Sequence, residues 1–284
     1  MEEGHAHGAP EGAHEGHHTS IFPFIVALSA GFGFGGLAIH SFPVVGVGVG
    51  LLVVGVGGWL WQDAKGISFA LKGAFEDRPF HDVSVRKIGM WIFIVSEIFF
   101  FTGLIASGLA LRVRVPLCPE IPTGACWPSP TSPDFPLNIP LTAVNTFILI
   151  VSSFTMAESL HFAQLGKQAQ MRAFLLATLL LGAMFVSIQV YEYSKLFFEE
   201  FLTPWPNATK PWFGTFGTAF YTQTGFHGAH VTGGLLALAF LNVKAWRGKF
   251  GKGNHEAIEL VGLYWHLVDI VWIFLFPIMY LIGR

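Results

Sequence analysis

Seven stretches of this chain are each about twenty mostly apolar residues long, and that length leaves one kind of backbone open to them. A hydrocarbon core about 30 Å thick is crossed by about 20 residues of α-helix. Lipid offers no hydrogen bonds to a bare backbone, so each stretch must satisfy its own N–H and C=O groups by coiling. The stretches run from Thr19 to Ile39, Phe42 to Gln62, Ile88 to Leu111, Ile139 to Phe162, Met171 to Tyr193, Gly214 to Leu241 and Ala257 to Ile282. Composition agrees, since only 12% of residues are charged against about 25% in an ordinary soluble domain. The expected fold is an all-α membrane protein, with residues 19–284 forming a seven-helix transmembrane domain. Only His40 and Ser41, followed by Pro43, part the first two stretches, which predicts a helical hairpin there. There is no internal repeat and no soluble domain.

Basic residues set the expected orientation, because cytoplasmic loops of membrane proteins are enriched in Lys and Arg. A cytoplasmic N-terminus gives the inner side 11 of the 16 basic residues, and the outer side keeps Arg112, Arg114, Lys195, Lys210 and Arg284. The C-terminus is then external, and a prokaryotic plasma membrane is the expected location. Residues 1–18 are acidic and His-rich, without the basic region and apolar core of a cleavable signal peptide. This tail holds five histidines among Gly, Ala and Glu, a composition that buries almost nothing and predicts disorder. Cys118 and Cys126 both fall in the external loop from Pro116 to Pro140, where an oxidising compartment permits a disulfide. Seven residues lie between them, two of them prolines and one a glycine. That spacing can close a small ring, and it leaves the choice between a disulfide and two thiols open.

The remaining information lies in the few polar groups inside the apolar stretches. Glu97 is the one formally charged side chain between Ile88 and Leu111. A carboxyl at the middle of a bilayer costs about 2.5 to 3.5 kcal/mol on insertion scales, so an intramembrane acid marks a candidate functional site. Its sequence neighbours are Phe, Ile and Val, with only Ser96 and Thr102 able to hydrogen-bond. Two roles compete for it: a neutral acid bonded to another helix, and a group at a partner interface or in proton movement.

Spacing sorts the other polar residues. His227 and His230 are three apart in GFHGAHVTGG and project from one side of the sixth helix, where Gly225, Gly228, Gly233 and Gly234 let another helix approach. Glu259 and His266 are seven apart and share a face, with Asp269 three residues further on. Gln189 and Glu192 are likewise three apart. These groups are expected to face the bundle interior and to hydrogen-bond one another across helices. Haem or metal ligation by the histidines is a weaker reading, because it needs ligands converging on one cavity and these spacings specify none. Proton handling is a third. No G-x-S-x-G is present to support a serine hydrolase.

In chain order, the blocks GMWIFIVSEIFFFTG, NTFILIVSS, QVYEY, GFHGAHVTGG and GLYWHLVDIVWIFLFP resemble those of subunit III of haem-copper cytochrome c oxidase, from the second helix onward. The resemblance implies two helices separated from the other five by a V-shaped cleft filled with phospholipid. It implies no haem or copper on this chain, both being carried by partner subunits. The implied partners are oxidase subunit I, as the main contact, subunit II and membrane phospholipids, and no nucleic acid. A larger respiratory assembly stays open. The implied function is that of an accessory subunit of a proton-pumping terminal oxidase that reduces oxygen to water, with the electron donor, cytochrome c or a quinol, undecided.

Residue by residue, Glu97 matches the family's carbodiimide-reactive intramembrane carboxyl. Trp61 and Asp63 in WLWQDAKG match the end of the family's second helix, and Lys244 stands where relatives place a basic residue on a lipid phosphate; Lys there keeps the charge without the fork of an Arg. His227, His230, Glu259, Tyr264, Trp265, His266 and Asp269 fall on signature positions, and Glu192 lies in QVYEY. His81, with neighbouring acids, is the candidate proton-uptake surface. The chain departs from the pattern in its N-terminal region, in RPFHDVSVRKIGM before the third helix, and in its Pro-rich loop with two cysteines. Rival readings are subunit III of a quinol oxidase or of a nitric oxide reductase-type complex. More remote is an independent ion transporter using Glu97, Glu192 and His230.

Overall fold

The computed structural model describes residues 21–39, 41–64, 83–118, 126–129, 136–200, 202, 214–251 and 253–281. The His-rich tail and His81 lie outside these residues, as does the side chain of Asp63. The described chain is helical: α1 Phe22–Ala38, α2 Phe42–Ala64, α3 Val85–Arg114, α4 Ile139–Gln164, α5 Gln168–Phe198, α6 Gly214–Trp246 and α7 Glu256–Phe276, followed by a π-helical turn Pro277–Leu281. Among the described residues there is no β-strand, only two isolated bridges, Leu117–Trp127 and Gly251–Asn254.

Six helices, α2 to α7, are long and apolar enough to cross a membrane. Among the described residues α1, expected as a seventh span, has 17 residues and falls short of that length. Helices α2 to α6 outrun their apolar stretches: α5 begins at Gln168 and ends at Phe198, where Met171 and Tyr193 were expected. Polar end residues interrupt hydropathy without interrupting the backbone ladder.

Local signals explain the ends. The Ser84 hydroxyl accepts from Lys87 N at 3.2 Å and caps α3, and the Asn138 side chain accepts from Leu141 N at 3.1 Å and caps α4. Arg112 and Arg114 occupy the last turn of α3, where cations oppose the helix dipole. After α4 and α6 the chain turns through Gly166, φ 77°, and Gly248, φ 68°. Glycine adopts this left-handed backbone without steric cost. The carbonyls of Phe162 and Lys244 are then taken by Lys167 N and Lys249 N, the 6→1 bond of a Schellman end.

The chain divides between residues 81 and 82 into two compact units. In the first, α1 and α2 form a hairpin whose backbones nearly touch. A Cβ on Gly48 would stand 2.5 Å from Gly33 N and 3.0 Å from Ser29 O, and one on Gly55 would stand 3.2 Å from Val26 N. Trp61 is exposed near the end of α2.

In the second unit, α4 packs with α5 and α7, α6 with α5 and α7, and α3 leans on α6 and α7. The core is aromatic: Phe185, Phe216, Phe220, Trp265, Trp272 and Tyr280 are fully buried. Gly182 and Gly234 make room for the Trp265 indole, since a Cβ on either would come within 3 Å of its ring. Of the four glycines expected to permit close approach on α6, only Gly234 does so tightly. At Gly228 a Cβ would meet nothing within 4 Å, and at Gly225 and Gly233 it would meet only tyrosine hydroxyls, at 4.0 and 3.7 Å. Polar groups tie the helices where apolar packing alone gives no preference in lipid. Asn145 Nδ2 donates to Phe185 O at 3.2 Å, Asn242 Nδ2 donates to Leu175 O at 3.2 Å, and the Thr155 and Thr178 hydroxyls meet at 2.9 Å.

Candidate functional site

Glu97 lies ten residues beyond Lys87 on α3, about 15 Å along the helix at 1.5 Å per residue. Its Oε2 is 3.1 Å from Nε2 of His230 on α6, and both side chains are half-buried. The other ring nitrogen, Nδ1, faces the Phe226 carbonyl at 2.7 Å. A carbonyl can only accept, so this geometry assigns a proton to Nδ1. One further proton then serves Nε2 and the carboxyl together, as acid with neutral imidazole or as carboxylate with imidazolium. Either arrangement has no net charge, which removes the main objection to an acid at this depth. Tyr264 on α7 donates its hydroxyl to His230 O at 2.9 Å and holds its ring 6.0 Å from Phe93 of α3. Phe101 covers the imidazole edge-on at 4.9 Å. Three helices therefore converge on one Glu–His pair wrapped in aromatic rings.

Among the described residues the pair has no hydrogen-bonded extension toward either end of α3. Ser96 and Ser107 donate to carbonyls of their own helix, Phe93 O at 2.7 Å and Leu104 O at 2.7 Å. The arrangement can shift a proton between acid and base without changing net charge. It offers no continuous line of donors along α3.

Elsewhere the polar residues of the apolar stretches bond across helices mainly to hydroxyls and a lysine. Glu192 is buried and accepts from Thr142 at 2.8 Å and from Tyr280 at 3.2 Å, which joins α4, α5 and the π-turn. Glu259 pairs with Lys87 at 2.5 Å, beside Glu256, which receives the Ser84 hydroxyl and faces Arg86 at 3.6 Å. These contacts fasten the start of α7 to the start of α3. His266 Nδ1 meets Ser153 Oγ at 3.3 Å, and Asp269 is buried nearby with one oxygen, Oδ1, unpartnered among the described residues. Trp265 donates its indole N–H to Ser152 at 3.0 Å. His227 is the clearest departure: it stacks on Trp272 at 4.8 Å, and neither ring nitrogen has a hydrogen-bond partner among the described residues. Spacing placed His227 and His230 on one side of α6, but one turn suffices to give them different neighbours. Lys244 is exposed in the last turn of α6, with Nζ 4.6 Å from the Phe240 ring centroid.

Sequence reasoning missed Thr142, Thr146, Ser152, Ser153 and Tyr280 as partners, because hydroxyls in apolar helices carry no pattern of their own. The signal available was the pairing rule for buried aromatic N–H and O–H groups, which Trp272 also obeys by donating to Thr146 at 2.9 Å. Cys118 and Cys126, which the sequence left open, are joined in a disulfide. Cys118 N and Trp127 O hydrogen-bond across it at 3.0 Å. Among the described residues, no three of His, Cys, Asp and Glu come together as a metal-ligand set.

The profile of the family described as "Cytochrome c oxidase subunit III" matches residues 68–284, so Trp61 and Asp63 precede the matched region. Among similar proteins, the "Probable cytochrome c oxidase subunit 3" of Mycobacterium tuberculosis is 37% identical over 196 residues, 69% of this chain and 87% of that one. The protein of the same name from Nocardia farcinica is also 37% identical over 196 residues, with the same coverage of each chain. The "Probable quinol oxidase subunit 3" of Staphylococcus aureus is 30% identical over 207 residues, 73% of this chain and 94% of that one. Matched over most of its length by this family and by these relatives, the chain belongs to the cytochrome c oxidase subunit III family of haem-copper oxidases.

Proposed function

We propose that this chain is the non-redox subunit III of a proton-pumping cytochrome c oxidase that reduces oxygen to water. The observation that carries the choice of electron donor is its higher identity to the relatives named cytochrome c oxidase subunit 3, 37%, than to the one named quinol oxidase subunit 3, 30%. In this role it stabilises catalytic subunit I, contacts subunit II, holds structural phospholipid in the cleft that the family resemblance implies, and supports proton uptake. Haem and copper reside on the partners. The basic imbalance of the loops supports a cytoplasmic N-terminus, with His81 on the proton-uptake side. The Cys118–Cys126 disulfide supports the same orientation, since it falls in a loop thereby placed in the oxidising compartment. An exposed tryptophan at Trp61 and a Lys244 ammonium above Phe240 are the kinds of group that meet lipid headgroups at helix ends.

The Staphylococcus aureus relative matches over more of both chains, which supports a quinol oxidase as the second reading. One experiment separates the readings: mild-detergent purification from the native membrane, with mass spectrometry, a reduced-minus-oxidised spectrum, and oxygen uptake driven by reduced cytochrome c or by a quinol. Stoichiometric haem-bearing partners and turnover on cytochrome c are the expected result. Turnover on quinol alone selects the second reading, and a colourless single chain with ion transport of its own overturns both.

A further inference from the structure

Where α5 begins and α6 ends, three cations gather that no acid answers. Arg172 lies in the second turn of α5, and its guanidinium carbon is 5.8 Å from the ring centroid of Trp246, the last residue of α6. A Cβ on Gly248 would stand 4.0 Å from Nη2 of Arg172, so the turn after α6 runs beside the guanidinium. Gln168, one turn earlier on α5, donates from Nε2 to Phe250 O at 2.6 Å and ties that same turn to the start of α5. Arg247 and Lys249 flank Gly248 and are exposed.

None of these three cationic side chains has a hydrogen bond or an ion pair among the described residues. The Arg172 Nε is buried without a partner, while the indole beside it limits how the guanidinium plane can turn. Helix α5 adds the same sign of charge, for it has no acid in its first turn and no side-chain cap, which leaves the positive end of its dipole unopposed. Trp246 is 61% exposed, and tryptophans at the ends of membrane helices lie at headgroup level.

We propose that Arg172, with Arg247 and Lys249, binds the phosphodiester of an anionic phospholipid at this end of α5 and α6. A planar guanidinium with free N–H groups matches a phosphate oxyanion, and two further cations on the adjoining turn favour a lipid of net negative charge. Depth selects a lipid over a protein carboxylate. Helix α6 has 33 residues and is about 50 Å long at 1.5 Å per residue, against a hydrocarbon core of about 30 Å, so its last turn reaches the headgroup layer. The site is separate from Lys244, which is two residues and so about 200° around α6 from Trp246 and turns back over Phe240. It rests on the chain crossing a membrane, and neither on the electron donor nor on lipid in a cleft.

The test is native mass spectrometry of the intact complex, stripped of loosely held lipid in detergent and titrated with phosphatidylglycerol or phosphatidylcholine. Arg172→Gln is expected to weaken binding of one phosphatidylglycerol several-fold and to leave phosphatidylcholine unchanged. Arg247→Gln with Lys249→Gln should act in the same direction. Lys244→Gln should affect a different molecule, so its loss and that of Arg172→Gln add in the double variant; losses that do not add would merge the two sites and overturn the proposal. Unchanged phosphatidylglycerol binding by Arg172→Gln also overturns it, as does displacement of the lipid by millimolar inorganic phosphate, the mark of a site for the free anion. If Arg172→Gln fails to assemble, the two exposed substitutions decide, and unchanged binding there counts equally against it.

Discussion

Replacing Glu97 by Gln removes the acid but keeps an N–H to offer the Nε2 atom of His230, so the link between α3 and α6 survives without its mobile proton. Ser96 and Ser107 donate to their own helix, so among the described residues no relay along α3 is lost with it. Glu97→Gln is expected to leave most proton pumping intact, measured in reconstituted vesicles. Loss of pumping with the subunit still bound would contradict that reading. His230→Phe is a different change, because it leaves a half-buried carboxyl facing rings. It should cost about 1 to 3 kcal/mol, read as earlier thermal release or unfolding of the subunit. Much of that loss should return in the double variant with Glu97→Leu, the signature of two residues acting as a pair. Glu97 was legible in the sequence as an acid among apolar neighbours. Its partner was not, because the two are 133 residues apart and helical spacing assigns a residue to a face of its own helix without naming what lies across from it.

At the scale of elements, glycines decide how closely helices meet, and their effects divide by what stands opposite. A Cβ on Gly234 would press on the buried and immobile Trp265 ring at 2.9 Å. Gly234→Ala is therefore expected to cost about 1 to 3 kcal/mol through overpacking. Gly228→Ala meets nothing and should leave stability unchanged or raise it, since Ala is the better helix former; thermal unfolding of the two variants in one detergent makes the comparison. The loop after α3 is bound by its disulfide. Non-reducing peptide mapping should recover Cys118 and Cys126 linked, and two alkylatable thiols would contradict it. Hydropathy located α2 to α7 because each is a long apolar run, and it stopped short of the last turns of α2 to α6, where polar side chains such as Gln62, Arg112, Gln164, Lys195 and Lys244 lower it. The GFHGAHVTGG glycines looked equivalent in sequence, and only the position of Trp265 distinguishes Gly234 from Gly228.

For the whole molecule, an oxidase deprived of this chain is expected to keep its haem spectrum and to lose activity over successive turnovers, followed as oxygen uptake against time; an equally durable oxidase would remove the assigned role. Family and helical architecture were legible because long ordered blocks such as GLYWHLVDIVWIFLFP combine membrane hydropathy with fixed polar positions. The pairings inside the bundle were not, since they run between hydroxyls, indoles and carboxyls far apart in the chain. Those pairings have a consequence in time. Trp265, Trp272 and Tyr280 complete Ser152, Thr146 and Glu192, all of which are 88 or more residues earlier. Chains are made N-terminal end first, so α4 and α5 leave the ribosome well before the residues that satisfy them. Until α7 and the π-turn arrive, Ser152 and Thr146 keep only the bonds they donate within α4, and Glu192 only the one it accepts from Thr142. A translational pause between α6 and α7 should therefore prolong a short-lived, protease-sensitive intermediate and lower the yield of mature subunit, even though the finished sequence is unchanged.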